Sequence, residues 1–236
     1  MGVVKVSVII PAINEEAVIG RAIASAWRAA ATEVIVADGG SGDRTPQLAR
    51  DQKCRLIAAP LGRANQQNAG AAAALGDVLL FLHADNWLAE TALAQIEQAL
   101  RRPAVVGGSF RQTIHATGLR FRLLERGNAL RARWLSMPYG DQGLFVRRDT
   151  FTAVGGFAQV PLMEDVLLMR QLRRQGRLAF LPGPLYVDAR RWQQVGLLRQ
   201  TVRNWMLLGA FRLGVSPARL ARFYPRHDRR GSSRRG

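Results

Sequence analysis

The sequence predicts an α/β protein with a mostly parallel central sheet flanked by helices, continued by a helical C-terminal extension. Three observations carry that expectation. Through the first hundred residues, short β-branched or apolar runs alternate with stretches of helical periodicity, the pattern of βαβ units. One run, Val78-Leu79-Leu80-Phe81-Leu82, is apolar at every position, as a strand covered on both faces must be. Finally, 236 residues with 48% apolar content suffice for one sizeable core.

In chain order, residues 3–10 form a β-branched run closed by Pro11 and predict a first strand. Asn14 suits the N-cap of the next helix, with Glu15 and Glu16 in the first turn, where the helix dipole favours acids. Residues 34–37 predict a second strand that runs into Asp38-Gly39-Gly40-Ser41-Gly42-Asp43. Thr45-Pro46 opens another helix with proline in its first turn. A short strand at 56–58 follows, then an Ala-rich helix over 65–75 with Gly76 as its C-cap. The fully apolar strand at 78–82 ends at His83-Ala84-Asp85-Asn86. Beyond it the pattern gives a helix to Arg101, a strand over 105–111, a basic helix over 119–135 and a strand at 144–146. Glu164-Asp165 opens a helix ended by Gly176; short strands at 180–181 and 185–187, a long helix over 193–213 and a short one after Ser216-Pro217 complete the series. The division is a catalytic-type domain over 1–192, C-terminal helices over 193–225 and a disordered basic tail over 226–236.

Charge is unevenly placed. Residues 1–100 carry 8 Lys and Arg against 10 Asp and Glu, whereas the remainder carries 26 against 7, so the net +17 arises entirely in the second part. That asymmetry suits an anionic partner: phosphorylated substrate, membrane surface or nucleic acid. Nucleic acid is the weakest of the three, because no interleaved aromatics or recognisable module accompany the Arg-rich tail. The stretch 202–215 is too short and too often interrupted by Arg to span a bilayer. With Trp205 and flanking arginines, residues 200–235 can lie peripherally on an anionic inner membrane face, or the helix can pack on the protein's own core. A single cysteine, Cys54, and an N-terminus without a long apolar region point to a reducing, cytoplasmic setting.

Candidate chemistry gathers at strand ends, where open α/β sheets place ligands. His83 and Asp85 stand two residues apart, and both residue types bind divalent metals; the alternative is a plain turn leaving the strand. Asp38 enters a glycine-rich loop, where a carboxylate can accept from a base or a ribose. Glu164-Asp165 offers a carboxylate for proton abstraction, or two first-turn acids that merely suit the helix dipole.

Together, residues 6–15, residues 33–45 and the Gly76-Asp77…His83-Ala84-Asp85 strand resemble family 2 glycosyltransferases, as does Gly62-Arg63 followed by Asn68 and Gly70, an Arg-x-x-x-x-Asn-x-Gly segment. The resemblance spans about residues 4–192 and implies a GT-A fold whose first half holds a nucleotide-diphosphate sugar. It implies donor contacts from Pro11, Asn14, Glu15, Asp38, Arg63, Asn68, Asp85 and Arg191, and a divalent ion, Mn²⁺ or Mg²⁺, at Asp85 with His83. The pattern departs here: His83 stands where the family's first Asp of Asp-x-Asp would be, as in a bacterial subgroup with His-Ala-Asp. Asp165 is implied as general base with Glu164 orienting the acceptor, and Asp141, Gln142 and Trp192 as acceptor-side residues. The implied activity is inverting transfer from a nucleotide-diphosphate sugar, with UDP-linked donors first, to an acceptor hydroxyl on a lipid, carotenoid, polysaccharide or small metabolite. Two rivals remain: a sugar-phosphate nucleotidylyltransferase, which would need a Gly-rich loop with Arg and Lys after the first strand, and a basic nucleic-acid-binding protein.

Overall fold

The structure is a computed structural model that describes residues 4–116, 121–122, 125–127, 142–189 and 197–223. Its frame is a set of apolar strands, each too hydrophobic to lie anywhere but between helices. β1 (Val6–Ala12) is buried at every residue but Pro11, and β4 (Val78–Phe81) at every residue. β2 (Glu33–Asp38) pairs parallel with β1, β3 (Arg55–Ala58) pairs parallel with β2, and β4 pairs parallel with β1 on its other side. This parallel half is the predicted βαβ series. Helices α1 (Ile19–Arg28), α2 (Thr45–Asp51) and α3 (Arg63–Ala73) make its crossovers.

The second half is mixed. β7 (Leu144–Arg147) lies antiparallel to β4 and to β6 (Val105–His115); β8 (Arg177–Asp188) runs parallel to β6; and β5 (Asn86–Leu88) closes the edge antiparallel to β8. The eight strands therefore follow the order β3-β2-β1-β4-β7-β6-β8-β5. Period-two alternation divides the core between the two faces. Val8, Ile10, Leu80 and Leu82 point to α1 and α4 (Ala92–Leu100). Ile9, Ile35, Leu79, Phe81 and Val146 point to α3, α5 (Arg148–Ala153) and α6 (Glu164–Gln175). A smaller cluster joins Met163 and Val166 to Leu207, Leu208 and Phe211 of α7 (Leu197–Arg212) and Leu220 of α8 (Pro217–Ala221). Cys54 packs partly buried against the first of these cores, and burial pushes its thiol up to about 11.

Several expected boundaries moved. α1 starts at Ile19, not after Asn14: Asn14 sits at φ +52°, and its side-chain oxygen accepts from the Gly42 N–H (2.9 Å), so it ties two loops together. Gly76 does not cap α3, which ends at Ala73. Instead it lets the chain press on β1, where a Cβ would stand 2.5 Å from Ser7 Oγ. The two short strands expected at 180–181 and 185–187 form one strand, β8, continuous through Pro182-Gly183-Pro184. β5 and α5 had no clear pattern of their own. Apart from 121–122 and 125–127, which are helical, the helix expected over 119–135 lies outside the described residues. So does the tail at 226–236. No described helix is long and apolar enough to cross a membrane.

Candidate active site

Because β1, β2 and β4 are parallel neighbours, their C-terminal ends share one edge of the sheet. Ala12 stands opposite Asp38, and the Ile9–Phe81 pair carries His83 just beyond that edge. The chain then turns sharply, with the Asn86 N–H on the His83 carbonyl at 3.0 Å, and enters β5. His83 and Asp85 thus flank the crown of a turn, His83 buried and Asp85 half-buried. The Asp85 carbonyl accepts from the Asp188 N–H (3.1 Å), which brings the end of β8 to the same corner. Asp188 carries no motif; only the β5–β8 pairing reveals it.

The first two strand ends are stitched into a single ledge. Gln66, 4% exposed, reaches back from α3 and donates its Nε2 to the carbonyls of Ala12 (2.7 Å) and Ala37 (3.0 Å). A polar side chain buried beneath the site and bonded to both strands would be costly to leave unsatisfied, so it holds them at a fixed spacing. Above it, the Ser41 hydroxyl accepts from the Asn14 N–H, the Thr45 hydroxyl from the Glu15 N–H, and Asp43 from the Glu16 N–H. Burial pushes the Asp43 carboxyl up, but hydrogen bonds from the Thr45 hydroxyl and N–H and from the Glu16 N–H outweigh it and hold it below its usual value. Asp38 turns inward on its own loop: one oxygen accepts from the Gly40 and Ser41 N–H groups at 3.0 Å, the other from the Ser41 hydroxyl. Pro11 and Glu15 are half-buried on this ledge and Asn14 is exposed.

The acid pair reaches the same edge from the other side. Arg63, in the first turn of α3, meets Glu164, in the first turn of α6, with Nη1 to Oε1 at 3.5 Å. The Glu164 side chain is 5% exposed and the Arg63 side chain 41%. Leaving Glu164 buried without its cation would be unfavourable, so this contact anchors one helix start to the other. Asp165 is half-buried beside it, its Oδ1 accepting from the Val166 N–H at 2.7 Å. Met163, immediately before the pair, is a non-glycine residue at φ +69°. Such left-handed strain concentrates where a backbone must aim functional groups.

Not every expected residue faces this edge. Both polar atoms of Asn68 are engaged by the backbone of one residue: Nδ2 donates to the Phe157 carbonyl (2.8 Å) and Oδ1 accepts from the Phe157 N–H (2.9 Å). That is a structural tie between α3 and the turn before α6. Gly70, two residues on, lets α3 press on β1, since a Cβ there would stand 2.3 Å from Ile9 Cγ2. The Gln142 side chain is fully buried at the start of β7. Asp141, Arg191 and Trp192 lie outside the described residues. Among the described residues, no group of three or more His, Cys, Asp or Glu gathers to hold a metal.

Comparison with solved structures finds the same architecture. TarS from S. aureus in complex with UDP-GlcNAc superposes with a TM-score of 0.63 at 18% identity, covering 78% of this chain and 58% of that one. Glucosyl-3-phosphoglycerate synthase from Mycobacterium tuberculosis, in complex with Mn²⁺, UDP and glucosyl-3-phosphoglycerate, gives 0.57 at 21% identity, covering 78% and 70%. The chain thus spans about three fifths of the TarS segment of residues 1–349, whose crystal structure it covers to 60%. No curated protein sequence matches the chain. The fold is the GT-A type that the family resemblance implied. Residues 7–161 match the sequence profile described as Glycosyl transferase family 2, and with well over half its length so matched, the chain belongs to that family.

Proposed function

We propose that this glycosyltransferase moves a sugar from a UDP-linked donor to an acceptor hydroxyl with inversion at the anomeric carbon. The observation that carries the reading is the Arg63–Glu164 ion pair, which holds the acid pair at the sheet edge where β1, β2 and β4 end. Complexes of two structural relatives with UDP-GlcNAc and with UDP support the donor class. In this reading the ledge of Pro11, Asn14, Glu15 and Asp38 receives the nucleoside, with Gln66 keeping its two strand ends in register. Asp165 takes the proton of the acceptor hydroxyl as that oxygen attacks. Glu164, held by Arg63, orients the acceptor, and Arg63 adds positive charge near the leaving diphosphate. Asp141, Gln142 and Trp192 belong to the acceptor side and Arg191 to the diphosphate.

A divalent ion fits the donor set on one condition. Asp85 and His83 supply two ligand types from one turn, and a Mg²⁺- or Mn²⁺-type ion takes its remaining ligands from diphosphate and water rather than from a protein cage. Relatives crystallised with Mn²⁺ or Mg²⁺ and UDP support it. Bound there, the ion would neutralise charge on the departing diphosphate. The enzyme works in the cytoplasm, peripheral on the inner face of the membrane through residues 200–235.

The decisive variant is Asp165→Asn. Transfer from UDP-sugars should fall by on the order of a thousandfold or more, the scale of a lost general base, while UDP affinity measured by calorimetry stays within about twofold of the parent. A variant that keeps its transfer rate, or loses UDP binding in parallel, sinks the assignment.

A further inference from the structure

The last long helix is apolar on two opposite sides, and its fold uses only one of them. Leu207, Leu208 and Phe211 of α7 are buried against Met163 and Val166, which bracket the acid pair. On the other side Val202, Trp205, Met206, Gly209 and Leu213 fall at spacings of three, four and seven residues along one stripe. That stripe faces outward: Trp205 is 58% exposed, Met206 64% and Leu213 88%. Phe223, just past α8, is 74% exposed. A row of large apolar side chains at this exposure marks a surface that something else covers.

Charge selects the occupant. By helical spacing Arg203 and Arg212 flank the stripe, Arg203 half-buried and Arg212 exposed, and Arg219 on α8 and Arg222 just after it are exposed. Every charged residue from 197 to 223 is an arginine. Two copies of this chain meeting stripe to stripe would bring these arginines against one another. An acidic surface with an apolar interior answers both features at once: aromatic and aliphatic groups enter the headgroup boundary while the guanidinium groups meet lipid phosphates.

We infer that the outward face of α7, with Phe223, seats the protein on an anionic bilayer. This develops the peripheral placement proposed above and rests on it for the cellular setting. Its structural basis is the two-sided helix, not the transfer chemistry. Because the inward face of the same helix packs on Met163 and Val166, seating holds the acid pair close to the bilayer plane. The acceptor class this favours is a hydroxyl carried on a lipid or on a molecule dissolved at the interface.

The test uses the full chain with vesicles of phosphatidylcholine alone and of phosphatidylcholine with phosphatidylglycerol, read by co-sedimentation. The parent should sediment with the anionic vesicles and remain in solution with the neutral ones. The double variant Trp205→Ser with Met206→Ser should bind the anionic vesicles on the order of tenfold more weakly or worse, given the apolar area removed. Both side chains are exposed, so the variant should unfold at the parent's temperature and bind UDP equally. Undiminished binding by the variant would assign the attraction to the arginines alone and overturn the inference. Equal binding to neutral vesicles would also overturn it, as would a parent whose mass doubles with concentration while the variant stays monomeric. UDP binding and transfer to a soluble acceptor are measured alongside, so that failure of the catalytic reading stays distinguishable from failure of the membrane contact.

Discussion

The ledge beneath the proposed donor site depends on single hydrogen-bonded atoms, and the Asp43 carboxylate is among those whose charge matters. It accepts from the Glu16 and Thr45 N–H groups, so protonation removes a link between the β1 and β2 loops. The folded-state value lies below the ordinary one. The stabilisation is therefore complete above the unfolded value of about 3.9 and is lost as pH falls through the lower folded value. Asp43→Asn should lower the melting temperature at pH 7, and the gap from the parent should shrink below about pH 4. A gap that stays constant over that range in thermal melts would refute the role. At this scale the sequence was partly legible. Asp38, Arg63, Glu164 and Asp165 were singled out from the sequence; the structure places Asp38 at the end of β2 and pairs Arg63 with Glu164, next to Asp165. Gln66 was overlooked because a glutamine in an Ala-rich helix gives no sign of which way it points. Asn14 was read as a local cap because its true partner, Gly42, is distant in sequence.

Among elements, α3 shows how a motif can serve the fold as much as the ligand. Its Arg63, Gln66, Asn68 and Gly70 contact respectively α6, the ends of β1 and β2, the Phe157 turn and the flank of β1. Gly70→Ala should cost about 1–3 kcal/mol, the usual range for overpacking, because the new methyl group meets Ile9 Cγ2. Combined with Ile9→Ala, the two losses should sum to less than their separate values in denaturant melts. Full additivity would mean that helix and strand do not compete for that space. Element recognition succeeded where burial forces a pattern, as in β1, β2 and β4. It failed where partners decide. β5 has three residues and exists only because β8 lies beside it. The break expected within β8 came from Pro182-Gly183-Pro184, which the strand accommodates near a register irregularity opposite β6.

Over the whole molecule, the cluster of Met163, Val166, Leu207, Leu208 and Phe211 joins the start of α6 to α7. Leu208→Ala should cost about 2–5 kcal/mol of stability. If the joint aims the acid pair, kcat should fall more than donor affinity does; equal losses would reduce the cluster to packing. The charge asymmetry was legible from composition alone. The two-faced character of α7 was not, because an apolar residue looks the same in sequence whether it turns inward or outward.

The position of β5 at the sheet edge has a consequence for the order in which the molecule is made. β1 to β4 can pair as soon as residue 81 has left the ribosome, since every partner in that parallel half is already present. Trp87 must await Tyr186, its partner across the β5–β8 ladder and its stacking neighbour at 5.6 Å. At about 5–20 residues per second, synthesis keeps that strand, and the His83–Asp85 turn that leads into it, without its ladder for on the order of 5–20 seconds. The parallel half of the sheet is thus the early-born part of the protein, and the corner at His83 and Asp85 closes only when β8 arrives.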